Sequence, residues 1–304
     1  MSITSAMFTG VSGLLANAEG INVIGNNLAN VNTIGFKSGR MLFADMLSAD
    51  IGNNSQIGRG TMIQKVDNVF GQGGFETTET VTDLAIQGNS FFVLGEPGSP
   101  AATPVVGGSA YYTRAGAFRM APDTSATPPT VSFLSNPDGY RVLDVDGNPI
   151  RFNIATDPPA DTDFIKITKI ESDGKIQLLL GDGTTAYYDG SPNTGTQDST
   201  AAKRIGTVLV PNPGALEKVG GTLFKASNPS TGVDPNLVIF SATYNSADDK
   251  PTSEKLFSNS LEQSNVDMAA QFVKMILTQR AYSANSKTIT TADEMTQEVL
   301  NLKR

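Results

Sequence analysis

The chain has 304 residues, 39% hydrophobic and 17% charged, enough to bury a sizeable core and, by length alone, about two domains. Its 22 basic and 30 acidic residues leave a net charge of −8, which argues against a protein that binds the phosphate backbones of nucleic acid. It holds no Cys, His or Trp, which removes thiol and imidazole nucleophiles, Cys/His zinc sites, iron–sulfur clusters and histidine proton shuttles; 30 acidic residues leave a glycosidase-like carboxylate pair open, but with no recognisable site no catalytic residue, metal or cofactor is expected.

The N-terminus lacks the basic region of a cleaved signal peptide, and no stretch reaches the roughly 18 consecutive apolar residues of a membrane span. A soluble chain that is not exported by a cleaved signal is expected. Residues 1–36 carry one charge, Glu19. Within them Met7, Val11, Leu14, Ala18, Ile21, Gly25 and Leu28 follow alternating steps of four and three, the a/d stripe of a helix that packs along another helix. Gly10, Gly13, Gly20 and Gly25 interrupt it at about 1 kcal/mol each relative to alanine, so the helix should form only when another surface covers its stripe. Asn26, Asn27, Asn30 and Asn32 suit a helix end, and Gly35 follows as a natural stop.

The centre reads as β structure. Strands are expected at 83–87, 91–94, 110–114, 165–170 and 176–180, where apolar and β-branched residues cluster. Asp138-Gly139, Asp146-Gly147, Asp173-Gly174, Asp182-Gly183 and Asp189-Gly190 mark tight turns. Loops rich in Pro, Gly, Ser and Thr are expected at 95–109, 121–130 and 189–203. Asp144-Val145-Asp146-Gly147-Asn148 looks like the start of a calcium loop, but its glycine is fourth rather than sixth, so a hairpin turn is expected. Ser172 to Lys175 matches S-x-x-K but falls on an Asp-Gly turn without companion motifs, and Gly71-Gln72-Gly73-Gly74 lacks the third glycine of a dinucleotide fingerprint.

At the C-terminus, Leu261, Asn265, Met268, Phe272, Met275, Gln279, Tyr282, Ser286 and Ile289 repeat the four-and-three step, and Ala292, Met295, Val299 and Leu302 continue it. This predicts a helix of more than 40 residues, about 60 Å long, with Lys303 and Arg304 placed favourably for its dipole. The two ends are thus expected to pair as helices around one β body. A secreted carbohydrate-binding or adhesive β protein with coiled-coil ends is the alternative of another class.

Residues 25–40, GNNLANVNTIGFKSGR, resemble the signature of the bacterial flagellar rod and hook axial family. Thr82 to Leu94, Tyr112 to Met120, Val210 to Phe224 and Leu261 to Met295 each resemble family segments in family order. Within the family, Phe8 to Leu14 and the ending TADEMTQEVLNLKR are most similar to hook subunits, whereas room for only a small outer insertion keeps a distal rod subunit open. The resemblance implies an α+β fold: terminal helices that pair as a coiled coil (the family's D0) flank a mainly β body (D1) with a small inserted outer domain. Helical segments at 1–32 and 259–304, a β-rich domain at 33–140 and 206–258, and an inserted β region at 141–205 follow.

The resemblance also implies a tubular homopolymer in the bacterial flagellum, placed in the extracellular hook and exported through the flagellar type III apparatus. Rod, hook cap and hook–filament junction proteins would be its partners. Its polymer interface is expected at Met7, Val11, Leu14, Ala18, Ile21 and Leu28, at Asn26, Asn27, Asn30 and Phe36, and at Leu261, Val266, Met268, Phe272, Met275, Gln279, Tyr282, Asn285, Ile289, Met295, Val299 and Leu302.

Overall fold

A computed structural model describes residues 3–52, 55–97, 110–123, 131–153, 163–190, 195–197, 201–210, 212–226, 244–245, 250–251 and 254–302. Lys303 and Arg304, and most of the expected loops, lie outside the described residues. The chain divides into two compact units: residues 1–32, 37–69 and 266–304, and residues 33–36 and 70–265. No helix among the described residues is long and apolar enough to cross a membrane.

Among the described residues, the first unit holds α1 (Ile3–Ala29), four strands and α2 (Met268–Leu302). Strand β1 (Gly39–Asp45) pairs antiparallel with β4 (Thr61–Asn68) through a bulge at Leu42/Phe43, and β2 (Ala49–Gly52) and β3 (Ser55–Ile57) form a hairpin between them. Helix α1 ends where its asparagines predict. Asn30 Nδ2 donates to the Asn26 carbonyl at 2.9 Å, which also accepts from the Asn30 amide at 3.2 Å, and to Asn26 Oδ1 at 2.7 Å, so the asparagine side chain closes the last turn. Helix α2 is shorter than its apolar period suggests, 35 residues and about 52 Å. Asp267 stops it from reaching back to Leu261: its Oδ1 accepts from the Ala270 amide at 3.1 Å, an N-terminal cap that fixes the first turn. Leu261 lies instead in a strand, Ser260–Glu262, of the second unit.

Among the described residues, the second unit is all β apart from one 3₁₀ turn, Pro213–Ala215. Its largest sheet is antiparallel and runs, edge to edge, 151–153, 131–135, 141–142, 91–95, 111–113, 223–225 and 217–220, with 207–208 and 119–122 paired alongside. The Phe91–Gly95 strand shows why a run such as Phe-Phe-Val-Leu has no polar alternation. Phe92 and Leu94 enter one buried cluster with Leu84, Phe118, Ile176 and Tyr188, while Phe91 and Val93 enter a second with Tyr112, Val208 and Phe224. Period-two geometry sends neighbours to opposite faces, and here both faces are covered. A four-stranded sheet, 164–170, 176–180, 185–188 and 195–196, adds Ile170, Ile176, Leu178 and Tyr188 to the first cluster.

The expected strands are observed at 84–87, 91–95, 111–113, 164–170 and 176–180. All five Asp-Gly glycines have positive φ, between 79° and 94°. The glycine alone takes the left-handed conformation, and where the turn bond is described the Asp precedes it: Gly139, Gly147, Gly174 and Gly183 donate to the carbonyls of Asn136, Asp144, Glu171 and Leu180. The calcium-like stretch closes as a hairpin in this way. Asp144 Oδ1 accepts from the amides of Asp146 at 2.9 Å and Asn148 at 2.8 Å.

The other oxygen of buried Asp144 has no hydrogen-bond partner, and burial, together with the charge of Asp146, raises its carboxyl pKa. The folded chain therefore holds this proton more tightly than the unfolded chain. Its contribution is greatest below the unfolded value of about 3.9 and is lost as pH rises through the folded one. Asp144→Asn keeps the accepting Oδ1 and is expected to raise the thermal midpoint at pH 7, with the gain vanishing below pH 4. A lower midpoint at pH 7 would show that the charge supports the turn.

Gly35 does not stop α1, which ends at Ala29. It turns inside the second unit at φ 67°, and a Cβ there would stand 2.5 Å from the Ala115 nitrogen. Left-handed strain and a backbone clash together make Gly35→Ala cost about 2 kcal/mol or more, measurable as a lowered denaturation midpoint.

Candidate assembly interface

In the first unit α1 and α2 lie side by side and antiparallel. A Cβ placed on Gly10 would stand 2.9 Å from Ile289 Cγ1, one on Gly13 2.7 Å from Asn285 Nδ2, and one on Gly20 3.3 Å from Thr278 Cγ2. Asn27 Nδ2 lies 3.5 Å from Gln271 Oε1. The residue numbers of these pairs add to 298 or 299, so one register runs from end to end without slip. Three of the four glycines that cost helix propensity, Gly10, Gly13 and Gly20, are thus points of close approach, whereas nothing lies within 4 Å of a Cβ on Gly25. The small side of α1, Gly10, Gly13, Ala16 and Gly20, is buried, whereas Val11 is exposed and Met7, Leu14, Ala18, Ile21 and Leu28 are half-buried. Composition could have revealed the seam: three glycines and an alanine recur on one helical face.

Polar groups anchor this seam. Asn27 is buried; its Oδ1 accepts from the Gly39 amide at 2.7 Å and its Nδ2 donates to the Gly39 carbonyl at 2.8 Å, tying α1 to the start of β1. Asn285 faces Gly13, while Asn26 is exposed and spends its oxygens on Asn30.

The apolar stripe predicted from sequence is largely uncovered in the single chain. On α2, Met268, Phe272, Tyr282, Met295, Val299 and Leu302 are exposed, as is Gln279, while Met275, Asn285 and Ile289 are half-buried. Val273, Ile276 and Leu277 join them, Leu277 being 62% exposed, so the first ten residues of α2, apolar except for Gln271 and Lys274, present a broad apolar face to solvent. On α1, Phe8 and Leu15 are 73% and 61% exposed. Contiguous exposed apolar patches of this kind mark protein contacts. Phe36, Leu261 and Val266 differ, each being buried already, with Phe36 lying under the Lys218 ammonium at 4.7 Å.

Comparison with known proteins gives the same ends. Residues 7–37 match the family model described as "Flagella basal body rod protein", and residues 258–302 match "Flagellar basal body rod FlgEFG protein C-terminal". The chain is 34% identical to the flagellar basal-body rod protein FlgG of Bacillus subtilis over 98% of its own length and 99% of the relative's. It is 26% identical to the flagellar hook protein FlgE of Borreliella burgdorferi, covering 98% of this chain and 99% of that protein. It is 38% identical to FlgE of Treponema pallidum over 150 residues, 45% of this chain and 28% of that one. The paired terminal helices, the β body between them and this end-to-end likeness place the chain in the flagellar rod and hook axial family, whose members are structural components of the flagellum.

Proposed function

We propose that the chain is a subunit of the flagellar hook, which polymerises with itself into a flexible tube and passes torque from the rod to the filament. The observation that carries the reading is the uncovered apolar face of α2 around Phe272, Ile276 and Leu277. Neighbouring copies would cover it, so that α1 and α2 form an inner coiled-coil layer and the β body an outer one. The predicted heptad residues then serve the contacts between subunits, and the glycine seam serves the contact within each. Export through the flagellar type III apparatus, and contacts with the rod, the hook cap and the hook–filament junction, follow from the same reading.

A hook is supported by the opening at Phe8 to Leu14, the ending TADEMTQEVLNLKR and the 38% identity to the Treponema hook protein. A distal rod subunit is the second reading, and one observation favours it. The Bacillus rod alignment spans 312 positions, close to the chain's 304, whereas the 451 positions of the Borreliella hook alignment leave at least 147 at which this chain has no residue. Deleting the gene in its own bacterium separates the two. A hook subunit leaves basal bodies with a completed rod, and a rod subunit leaves structures that stop before the distal rod.

The interface itself is tested by Phe272→Ser combined with Leu277→Ser. Both side chains are largely exposed, so the monomer's midpoint should shift by less than about 0.5 kcal/mol. Losing roughly 1 kcal/mol of subunit contact at each should raise the critical concentration for assembly about thirtyfold. Unchanged assembly would remove this face from the interface.

A further inference from the structure

The assembly surface leaves without a role the family-like segment Tyr112 to Met120 and the part of Leu261 to Met295 that precedes α2. They meet in a fully buried ion pair inside the β body. Arg114 and Glu262 are 2% and 0% exposed, with Nη1 3.3 Å from Oε2. Arg114 also donates from Nη2 to the Gly88 carbonyl at 2.6 Å and stacks 5.1 Å from the Phe91 ring centre. Burial lowers its pKa, and the carboxylates of Glu262 and Glu254 act against that shift.

Glu262 gathers three separate stretches of chain. Its Oε1 accepts from the Gly73 amide at 2.9 Å, and its own carbonyl accepts from Gly35 at 2.7 Å. Next to it, Gln263 donates to the Gly74 carbonyl at 2.8 Å and Asn265 to the Phe36 carbonyl at 3.3 Å. The knot thus ties residues 33–36, which follow α1, to 71–74, which follow β4, and to 262–265, which precede α2.

We propose that Arg114 is a positioning residue for the two assembly helices: through Glu262 it holds the roots of α1 and α2 side by side in a set register. An apolar pair of equal volume would stabilise a plain core at least as well as two desolvated charges. A buried pair whose remaining bonds go to the backbone of separate segments is suited instead to specifying position. The proposal adds a register device to the assembly reading and rests on it only for its second readout.

Hydrogen exchange of the full-length chain tests the device, using Arg114→Met and the apolar replacement Arg114→Met with Glu262→Leu. The amides of Gly35, Gln263 and Asn265 donate to backbone carbonyls that neither substitution removes, so they report position alone. The double variant, whose core is refilled, should fold with central-strand amides such as Phe92 protected as in the wild type, while these three exchange at least tenfold faster. Tubes should then form more slowly or not at all. Wild-type protection at the three amides in the double variant, or loss spread evenly to Phe92, would overturn the proposal. The exchange readout needs no polymer, so its failure is distinguishable from a failure of the assembly reading.

Discussion

A chain lacking residues 1–30 is expected to fold as a soluble β monomer and to lose polymerisation entirely. Both buried clusters of the β body are built from residues between Phe70 and Leu256, so neither loses a side chain in the truncation. The truncation instead removes the partner of α2. Without Gly10, Gly13, Gly20 and Asn27 opposite Ile289, Asn285, Thr278 and Gln271, the inner face of α2 joins its outer face in solvent. A lone helix of this composition is marginal in water, and most helical stability in proteins comes from packing. Circular dichroism should show β signal retained with helical signal reduced by more than the deleted residues alone. Tubes formed by the truncated chain would refute the inner helical layer.

The second large effect is expected at Gly13. Two terms oppose each other when a glycine in α1 is replaced. Helix propensity favours the change by at most about 1 kcal/mol, whereas forcing atoms into a closely packed contact costs about 1–3 kcal/mol. At Gly13, where a Cβ would stand 2.7 Å from Asn285 Nδ2, the contact wins, and Gly13→Leu should separate the helices and abolish assembly while leaving the β body's midpoint unchanged. At Gly25, where nothing lies within 4 Å of the added Cβ, propensity wins, and Gly25→Ala should stabilise α1 by up to about 1 kcal/mol and preserve assembly. Similar assembly by the Gly13→Leu chain would contradict a glycine seam.

What could be read from the sequence depended on whether the cause was local. Strands, turns and helix ends are set by neighbours in the chain. The continuous apolar run at Phe91–Gly95, the Asp-Gly turns and the asparagines closing α1 were therefore legible. The start of α2 was misplaced because apolar spacing ran on through Leu261, while the one residue that decides it, Asp267, acts by a single hydrogen bond. The Arg114–Glu262 knot joins residues 148 positions apart, and no local pattern announces it. The heptad stripe was legible but incompletely understood. Hydrophobic spacing marks surfaces that must be covered in the working assembly, and in this chain the surface covered within one subunit is marked by small residues instead. Phe272 and Gly13 thus carry complementary information: the first wants a neighbour, and the second lets one approach.

The central claim is that copies of this chain cover one another's α2. A cryo-electron microscopy reconstruction of tubes grown from the purified full-length chain tests it most directly. The face carrying Phe272, Ile276 and Leu277 should be buried against a helix of an adjacent subunit, with Gly13 still against Asn285 within each subunit. A tube in which that face points to solvent, held together by β-body contacts alone, would contradict it.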